Sequence, residues 1–153
     1  MATTIKNATL KVTVKEEITL NGSRQDSENI LRISNINEVS KRIVNVPASE
    51  ITLVAFGTAV ANGTFVEGDV RYIRLTNLEA VGGNFVTLNI EGDASTDFSV
   101  RLDPGASFLI TSSSSTGVVD YADISGATLE DLTGIKSTAD TAACDIEVLI
   151  ASA

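Results

Sequence analysis

The sequence has no histidine and no tryptophan, and only one cysteine, two prolines and two tyrosines among its 153 residues. Histidine supplies the base of the Ser-His-Asp and Cys-His arrangements and is a common ligand of zinc. Its absence therefore argues against those hydrolases and those zinc sites. A single cysteine, Cys144, excludes an intrachain disulfide. Its apolar surroundings, ACDIEVLIA, predict a buried and unreactive thiol rather than a nucleophile.

Positive charge and long apolar runs are also scarce. Eleven lysines and arginines face twenty acidic residues, which gives a net charge of −9. The basic residues are scattered, and only Lys41 and Arg42 are adjacent, so direct binding to nucleic acid is not expected. No apolar run approaches the roughly 20 residues of a membrane span, and the start, MATTIKNATL, lacks the features of a secretory leader. We therefore expect a protein made in a cytoplasm that does not enter membranes.

What the sequence does contain is strand periodicity. Between residues 8 and 20 the apolar side chains share one parity while lysines, threonines and Glu17 take the other. This alternation predicts a half-buried strand or bent pair of strands, with Glu16 as the exception and a candidate bulge. Asn21-Gly22 then predicts a tight turn, because both residues tolerate positive φ.

The same pattern continues along the chain, with turns at Gly82-Gly83 and at Asp103-Pro104-Gly105. It predicts one domain over residues 1–153 with nine or ten short strands, an antiparallel, jelly-roll-like β-sandwich with little helix. We expect a short N-terminal arm over residues 1–7 and a long polar loop over residues 111–141, with one helical turn at ATLEDL. The expected strands after the first segment are 28–36, 42–47, 50–57, 69–78, 84–91, 97–102, 106–111 and 144–151.

The only candidate chemistry lies in two groups of carboxylates. One group holds Glu91, Asp93 and Asp97, and the other holds Asp120 and Asp123. Their spacing does not match an EF-hand loop, so solvated acidic loops are favoured, and calcium binding stays open. The few aromatics argue against the sugar cleft of a glycosidase. The sequence assigns no catalytic residue, cofactor or metal ligand, and favours a protein that is not an enzyme.

Three stretches carry a family resemblance: ATLKVTVKEEITLNG near the start, VRYIRLTNL…NFVTLNIEG…FSVRLDPGASFLI in the middle, and LEDLTGIKSTADTAACDIEVLIASA at the end. Together they cover most of the chain. They resemble small β-sandwich structural proteins in the virions of tailed bacteriophages, above all head decoration, or cement, proteins. The shared motifs are strands and turns, so they indicate a class of protein better than a particular role.

The resemblance implies a virion protein, made in the host cytoplasm, that binds the major capsid protein or another virion protein and stabilises the head shell. It also implies a homo-oligomer, either a trimer or another ring. A tail-tube, neck or fibre protein of the virion is an alternative. A carbohydrate-binding or adhesin-like module is a second alternative from another class. We expect residues 1–7 and 111–141 to supply contacts with neighbours.

Overall fold

Two β-sheets enclose one core, and a long β-hairpin lies outside them. The computed structural model describes residues 6–59, 61, 63–92, 97–112, 120–122 and 129–153. These residues contain fourteen strand segments, one 3-10 turn at Glu67–Asp69 and no α-helix. The hairpin strands are β1 (Ala8–Glu16), β2 (Thr19–Leu20), β3 (Ser23–Arg24) and β4 (Ser27–Ile36). The others are β5 (Glu38–Val46), β6 (Ile51–Gly57), β7 (Thr64–Val66), β8 (Val70–Asn77), β9 (Val86–Gly92), β10 (Phe98–Leu102), β11 (Ser107–Thr111), β12 (Asp120–Ala122), β13 (Leu129–Ala139) and β14 (Cys144–Ser152).

The sheets are antiparallel apart from one pair. One sheet has the order β10-β9-β13-β6-β7, with β12 paired to the start of β13, and the other has the order β11-β8-β14-β5. Only β6 and β7 run parallel among the described strands. The prediction of an all-β antiparallel sandwich is therefore confirmed. The number of strands is higher than the nine or ten expected, because four of them have only two or three residues. A strand that short is too brief to show an alternating pattern.

Alternating side chains from both sheets fill the core, as period-two burial requires. In β14 the residues from Cys144 to Ile150 that point inward are completely or almost completely buried. The core residues from the two sheets are Val46, Leu53, Val54, Phe56, Val70, Ile73, Leu75, Val86, Leu88, Ile90, Leu102, Leu132, Ile135, Ala139, Cys144, Ile146, Val148 and Ile150.

The predicted turns lie where the sequence places them. Asn21 and Gly22 have φ of 49° and 79°, and Leu20 opposes Ser23 across them, so they form a two-residue hairpin turn. Gly105 has φ of 77°, and the Ala106 amide donates to the Asp103 carbonyl at 3.0 Å. Proline followed by a glycine with positive φ is the signature of a type II turn.

One buried asparagine ties the loops at one end of the sandwich together. The Asn77 side chain is fully buried. Its Nδ2 donates to the Asn84 carbonyl at 3.0 Å and to the Leu102 carbonyl at 3.1 Å. Its Oδ1 accepts from the Glu79 amide at 3.0 Å. Every polar atom of this amide is used, which is why a polar group is tolerated at this depth.

The prediction of a long polar loop over residues 111–141 is wrong for most of the residues in that range that the structure describes. Residues 129–139 form β13, which pairs with β9 on one side and β6 on the other. The helical turn expected at ATLEDL is also wrong from Leu129 onward, and Ala127 and Thr128 lie outside the described residues. Pairing on both sides outweighs the low apolar content of this strand. At Gly134 an added Cβ would lie 3.1 Å from the Val54 carbonyl oxygen, so only glycine fits there without a shift.

The bulge considered at Glu16 is not present. Glu16 opposes Ser27 and Thr19 opposes Arg24, so both strands advance by three residues and the register is unbroken. The irregularity lies instead near the base, where β4 has one extra residue between its partners for Ala8 and Leu10. Asn35, with φ of 63°, sits in that extra segment.

Candidate interaction surface

We call the hairpin formed by residues 8–36 the arm; it does not include the N-terminal residues 1–7. The end of the hairpin that joins the sandwich, its base, packs on the outer face of the four-stranded sheet. Ile33 and Ile36 are buried together with Tyr72 of β8 and Ala151 of β14. Leu10, Val12, Leu31 and Leu149 pack around this second, smaller core. Burial raises the pKa of the Tyr72 hydroxyl, and the nearby Arg74 guanidinium opposes the shift. The base of the arm is thus held to the sandwich by a packed apolar cluster.

Beyond its base the arm is uncovered on both faces. Every residue from Thr13 to Ile30 is exposed, and we call this part of the hairpin the distal arm. Val14 and Asn29, which oppose each other, line a gap of about 170 Å³ above Leu109 and Thr111 of the edge strand β11. The arm therefore crosses the sheet from β14 towards β11, and its distal half extends past the last strand that it contacts.

The two faces of the distal arm differ in chemistry. The face that continues from the covered base presents Val14, Ile18 and Leu20, which are 45%, 55% and 62% exposed. The opposite face carries two ion pairs and one exposed aliphatic residue, Ile30. Lys15 contacts Glu17 at 2.6 Å, and Arg24 contacts Asp26 at 2.6 Å. Such exposed pairs contribute little to stability. The distal arm therefore carries one row of aliphatic side chains, beside the polar residues Asn29, Ser27 and Ser23 of the opposing strand. The rest of the described chain does not cover this row.

A second uncovered apolar area lies on the same sheet, at its opposite edge. Val39 and Ile43 of the edge strand β5 point away from the core and are 61% and 62% exposed. Lys41 lies between them and contacts the Glu147 carboxylate at 2.9 Å. We call Val39, Lys41 and Ile43 the β5 strip. These three residues are every second residue of β5, so the cation lies between the two aliphatic side chains on one face of the strand.

Glu147 joins the strip to the middle of the sheet. Its other carboxylate oxygen accepts from the Arg74 guanidinium. The hydrogen bond from Lys41, with the attraction of both cations, lowers the pKa of Glu147 although partial burial opposes the shift. The Arg74 Nε atom is buried and has no hydrogen-bond partner among the described residues. Two cations therefore share the Glu147 carboxylate. Asp145, on the same face of β14, instead accepts a hydrogen bond from the Asn45 side chain at 2.8 Å.

A cavity of about 470 Å³ opens between the sheet edges formed by β5 and β7. Its polar lining includes Asn37, Glu38, Arg42 and Asp69. The Arg42 side chain donates to the Leu53 carbonyl and so bridges from β5 to β6. These groups do not form a nucleophile–base pair, and the cavity carries no chemical assignment.

The candidate chemistry of the sequence is not brought together by the part of the fold that is described. Glu91 is paired with Lys136 at 2.6 Å, and this hydrogen bond raises the pKa of Lys136. Asp97 accepts a long hydrogen bond from the Gly92 amide, at 3.4 Å. Asp93 and Asp123 lie outside the described residues, and of Asp120 only the backbone is described. Among described residues no three His, Cys, Asp or Glu side chains lie close enough to hold a metal ion.

Cys144 lies in the core, as its sequence context predicts. It is completely buried, and burial raises the pKa of its thiol, with smaller contributions from nearby carboxylates. Its Sγ lies 3.5 Å from the Ala142 carbonyl and 3.6 Å from the Asn84 carbonyl. A neutral, enclosed thiol is a poor nucleophile.

No helix within the described ranges has the length and apolar character needed to cross a membrane.

The predicted contact segments and the exposed apolar surfaces do not coincide. Of residues 1–7, only Lys6 and Asn7 are described, and both are exposed. Residues 113–119 and 123–128 of the predicted loop lie outside the described residues. The arm and the β5 strip were missed as surfaces, because their alternation looks the same as that of covered strands. The one signal in the sequence is a charged residue at a position where the alternation calls for an apolar one. This residue is Glu16 in β1 and Lys41 in β5.

No family model, no curated protein and no solved structure matches this chain in the three comparisons made.

Proposed function

We propose that the protein is a non-enzymatic structural protein of a tailed-phage virion, and that it serves as a decoration protein that binds and stabilises the head shell. Two lines support this proposal. The first is the resemblance in strand and turn motifs described above. The second, which carries most weight, is the arm: a hairpin that leaves a filled sandwich and presents an uncovered row of aliphatic side chains, Val14, Ile18 and Leu20.

An exposed apolar ribbon is costly unless a partner covers it. A two-stranded hairpin alone is marginally stable in water, and exposed apolar surface on a folded protein commonly marks a site of association. The distal arm contributes nothing to either core of its own chain. We therefore infer that its exposed aliphatic side chains are covered by contacts made after folding.

The rest of the molecule suits a role that depends on shape. The two sheets share one closely packed core, and Lys41, Arg74 and Glu147 form an ion-pair cluster on the outer face of the four-stranded sheet. Many copies on a symmetric shell multiply weak contacts, so each contact can be small. In this role the partners are the major capsid protein and further copies of this chain, and the protein resides in the virion.

Binding to purified heads tests the proposal. Recombinant protein is mixed with expanded heads of the phage that encodes the chain, purified without this component, and the mixture is separated on a density gradient. Comigration with the heads and greater resistance of the heads to heat are expected. An acidic β-sandwich of similar charge but unrelated sequence serves as the control. Absence of the protein from complete virions, measured by mass spectrometry, would contradict the proposal.

A further inference from the structure

The distal arm and the β5 strip match in pattern. The arm face reads Val14-Glu16-Ile18, and the strip reads Val39-Lys41-Ile43. In both, an aliphatic residue, a charged residue and an aliphatic residue follow at every second position. Since side chains on one face of a strand recur every two residues, the two rows have the same spacing. They carry opposite charges at the centre.

The charges on the two surfaces are also complementary in context. Among the described residues Glu16 has no salt-bridge partner. It interrupts the row formed by Val14 and Ile18, while the opposing residues Asn29 and Ser27 on β4 are polar. Lys41 shares the single Glu147 carboxylate with Arg74, and the other carboxylate on this face of β14, Asp145, is hydrogen-bonded to Asn45. A carboxylate placed against Lys41 would give this ammonium group an acidic partner that it does not have to share with Arg74. Charge arrangement of this kind sets the register of an interface more than its strength.

The two surfaces lie at opposite edges of one sheet, which decides the symmetry. The order β11-β8-β14-β5 places the overhanging arm at the β11 edge and the strip at the β5 edge. One copy can thus present its arm to the next copy, which presents its own arm to a third. Contacts between unlike surfaces of identical chains are head-to-tail, and they close into rings when the rotation permits.

We propose that the distal arm of one copy covers the β5 strip of a second copy, with Glu16 against Lys41 and the flanking aliphatic side chains against one another. This proposal deepens the assembly role given above by naming the occupant of the arm, and it rests on the arm being an assembly element. It names a second copy of this chain as the partner, whatever larger particle the copies then join.

The size of the contact predicts weak association for an open pair. The exposed parts of Val14, Ile18, Leu20, Val39 and Ile43 amount to about three aliphatic side chains, or roughly 200–350 Å² of apolar surface. A stable isolated interface buries about 1,200 Å² or more in total. We therefore expect a dissociation constant on the order of 0.1–1 mM for one contact. Ring closure or a shell surface would add contacts and strengthen the assembly.

Charge reversal with rescue is the first test. Sedimentation velocity is measured from about 10 µM to 1 mM, a range that brackets the dissociation constant expected from the contact area, for the wild type, Glu16→Lys, Lys41→Glu and the double variant. Each single reversal should shift association to at least about tenfold higher concentration, because like charges would then face each other across the contact. The double reversal should restore it. Glu28→Lys is the control, since it makes the same change on the arm's other face. Association unaffected by Glu16→Lys, or not restored in the double variant, would overturn the proposal.

Cross-linking keeps the test valid if Lys41→Glu disturbs the fold beside Glu147. The chain's one cysteine is buried, so introduced thiols can be labelled selectively. Glu16→Cys and Lys41→Cys proteins are mixed and treated with a short bismaleimide. Cross-linked dimer should form in the mixture and not in either protein alone. Equal dimer yields in all three samples would refute the pairing.

The two proposals can fail separately. If the copies do not associate with one another but still bind heads, the pairing of arm and strip is wrong and the proposed function stands. If the copies associate through these surfaces but the protein is absent from virions, the pairing stands and the proposed function is wrong.

Discussion

The distal arm and the sandwich are built from the same kind of alternating strand, yet the inward row of the sandwich strands is buried and the aliphatic row of the distal arm is exposed. Leu88 in β9 is completely buried, whereas Leu20 near the tip of the arm is 62% exposed. The two leucines occupy equivalent positions in period two within their strands. The difference lies in what is packed opposite: a second sheet for Leu88, and nothing from the described chain for Leu20. The same pattern serves stability in one region and association in the other.

A matched pair of substitutions should separate the two regions most strongly. Leu88→Ala removes methyl groups from a closed core, so we expect a loss of about 2–5 kcal/mol in the free energy of unfolding. Leu20→Ala removes side-chain atoms that are mostly in water, so its effect should stay within about 0.5 kcal/mol. Urea unfolding of both variants checks this. Equal losses would show that the arm tip is buried in solution.

The loop-tying amide of Asn77 should have the next largest effect within the sandwich. Asn77→Ala leaves the Asn84 and Leu102 carbonyls and the Glu79 amide without their partner. Leaving buried polar groups unpaired should cost about 2–3 kcal/mol. Asn45→Ala is the control, because Asn45 makes one exposed side-chain bond, to Asp145 at 2.8 Å. A thermal melt compares the two, and a shift for Asn77→Ala no larger than for the control would contradict the role given to this amide.

Acid should weaken the outer face of the sheet through Glu147. Its folded-state pKa is lowered, mainly by the hydrogen bond from Lys41, so its contribution to stability is present above the unfolded-state pKa, about 4.3. That contribution is lost as the pH falls through the folded-state pKa. Glu147→Gln should therefore be less stable than the wild type at neutral pH, and the difference should shrink below about pH 5. Urea midpoints at several pH values measure it, and a difference independent of pH would count against the assignment.

The smallest effect concerns a buried hydroxyl in β13. Ser137 is 1% exposed, and its Oγ has no hydrogen-bond partner among the described residues. Removing an unsatisfied polar atom should be neutral or should stabilise the sandwich by up to about 1 kcal/mol in Ser137→Ala. Ser107→Ala is the matched control, because that hydroxyl is exposed and lies 2.8 Å from the Thr76 hydroxyl. A clear loss of stability in Ser137→Ala alone would mean that the hydroxyl is satisfied in solution.

Local patterns predicted much of the fold because they act over a few residues. The Asn21-Gly22 and Pro104-Gly105 turns follow from backbone preferences, and the inward positions of β14 follow from alternation. The strand β13 was missed because its inward-facing Ser137 and Ala139 are small and give no apolar signal. That strand owes its structure to two long-range neighbours, β9 and β6, which no window along the chain reveals.

The candidate surface could not be predicted for a related reason. Leu10 and Val12 pack on the sheet, while Ile18 and Leu20 of the same hairpin face are open. In the sequence the four residues are indistinguishable, because covering depends on how far the hairpin reaches across a sheet formed by distant strands. The charged interruptions at Glu16 and Lys41 were the only local hint, and their pairing requires knowledge of which edges lie opposite.

Shortening the arm tests most directly whether the distal arm serves association and not folding. Residues 16–27 are replaced by Asn-Gly, which closes a two-residue hairpin on the facing pair Lys15 and Glu28. Sedimentation velocity and thermal unfolding are then measured on the same samples. We predict a melting temperature close to that of the wild type and a monomer at every concentration. A protein that unfolds, or one that still associates as the wild type does, would contradict this role of the arm.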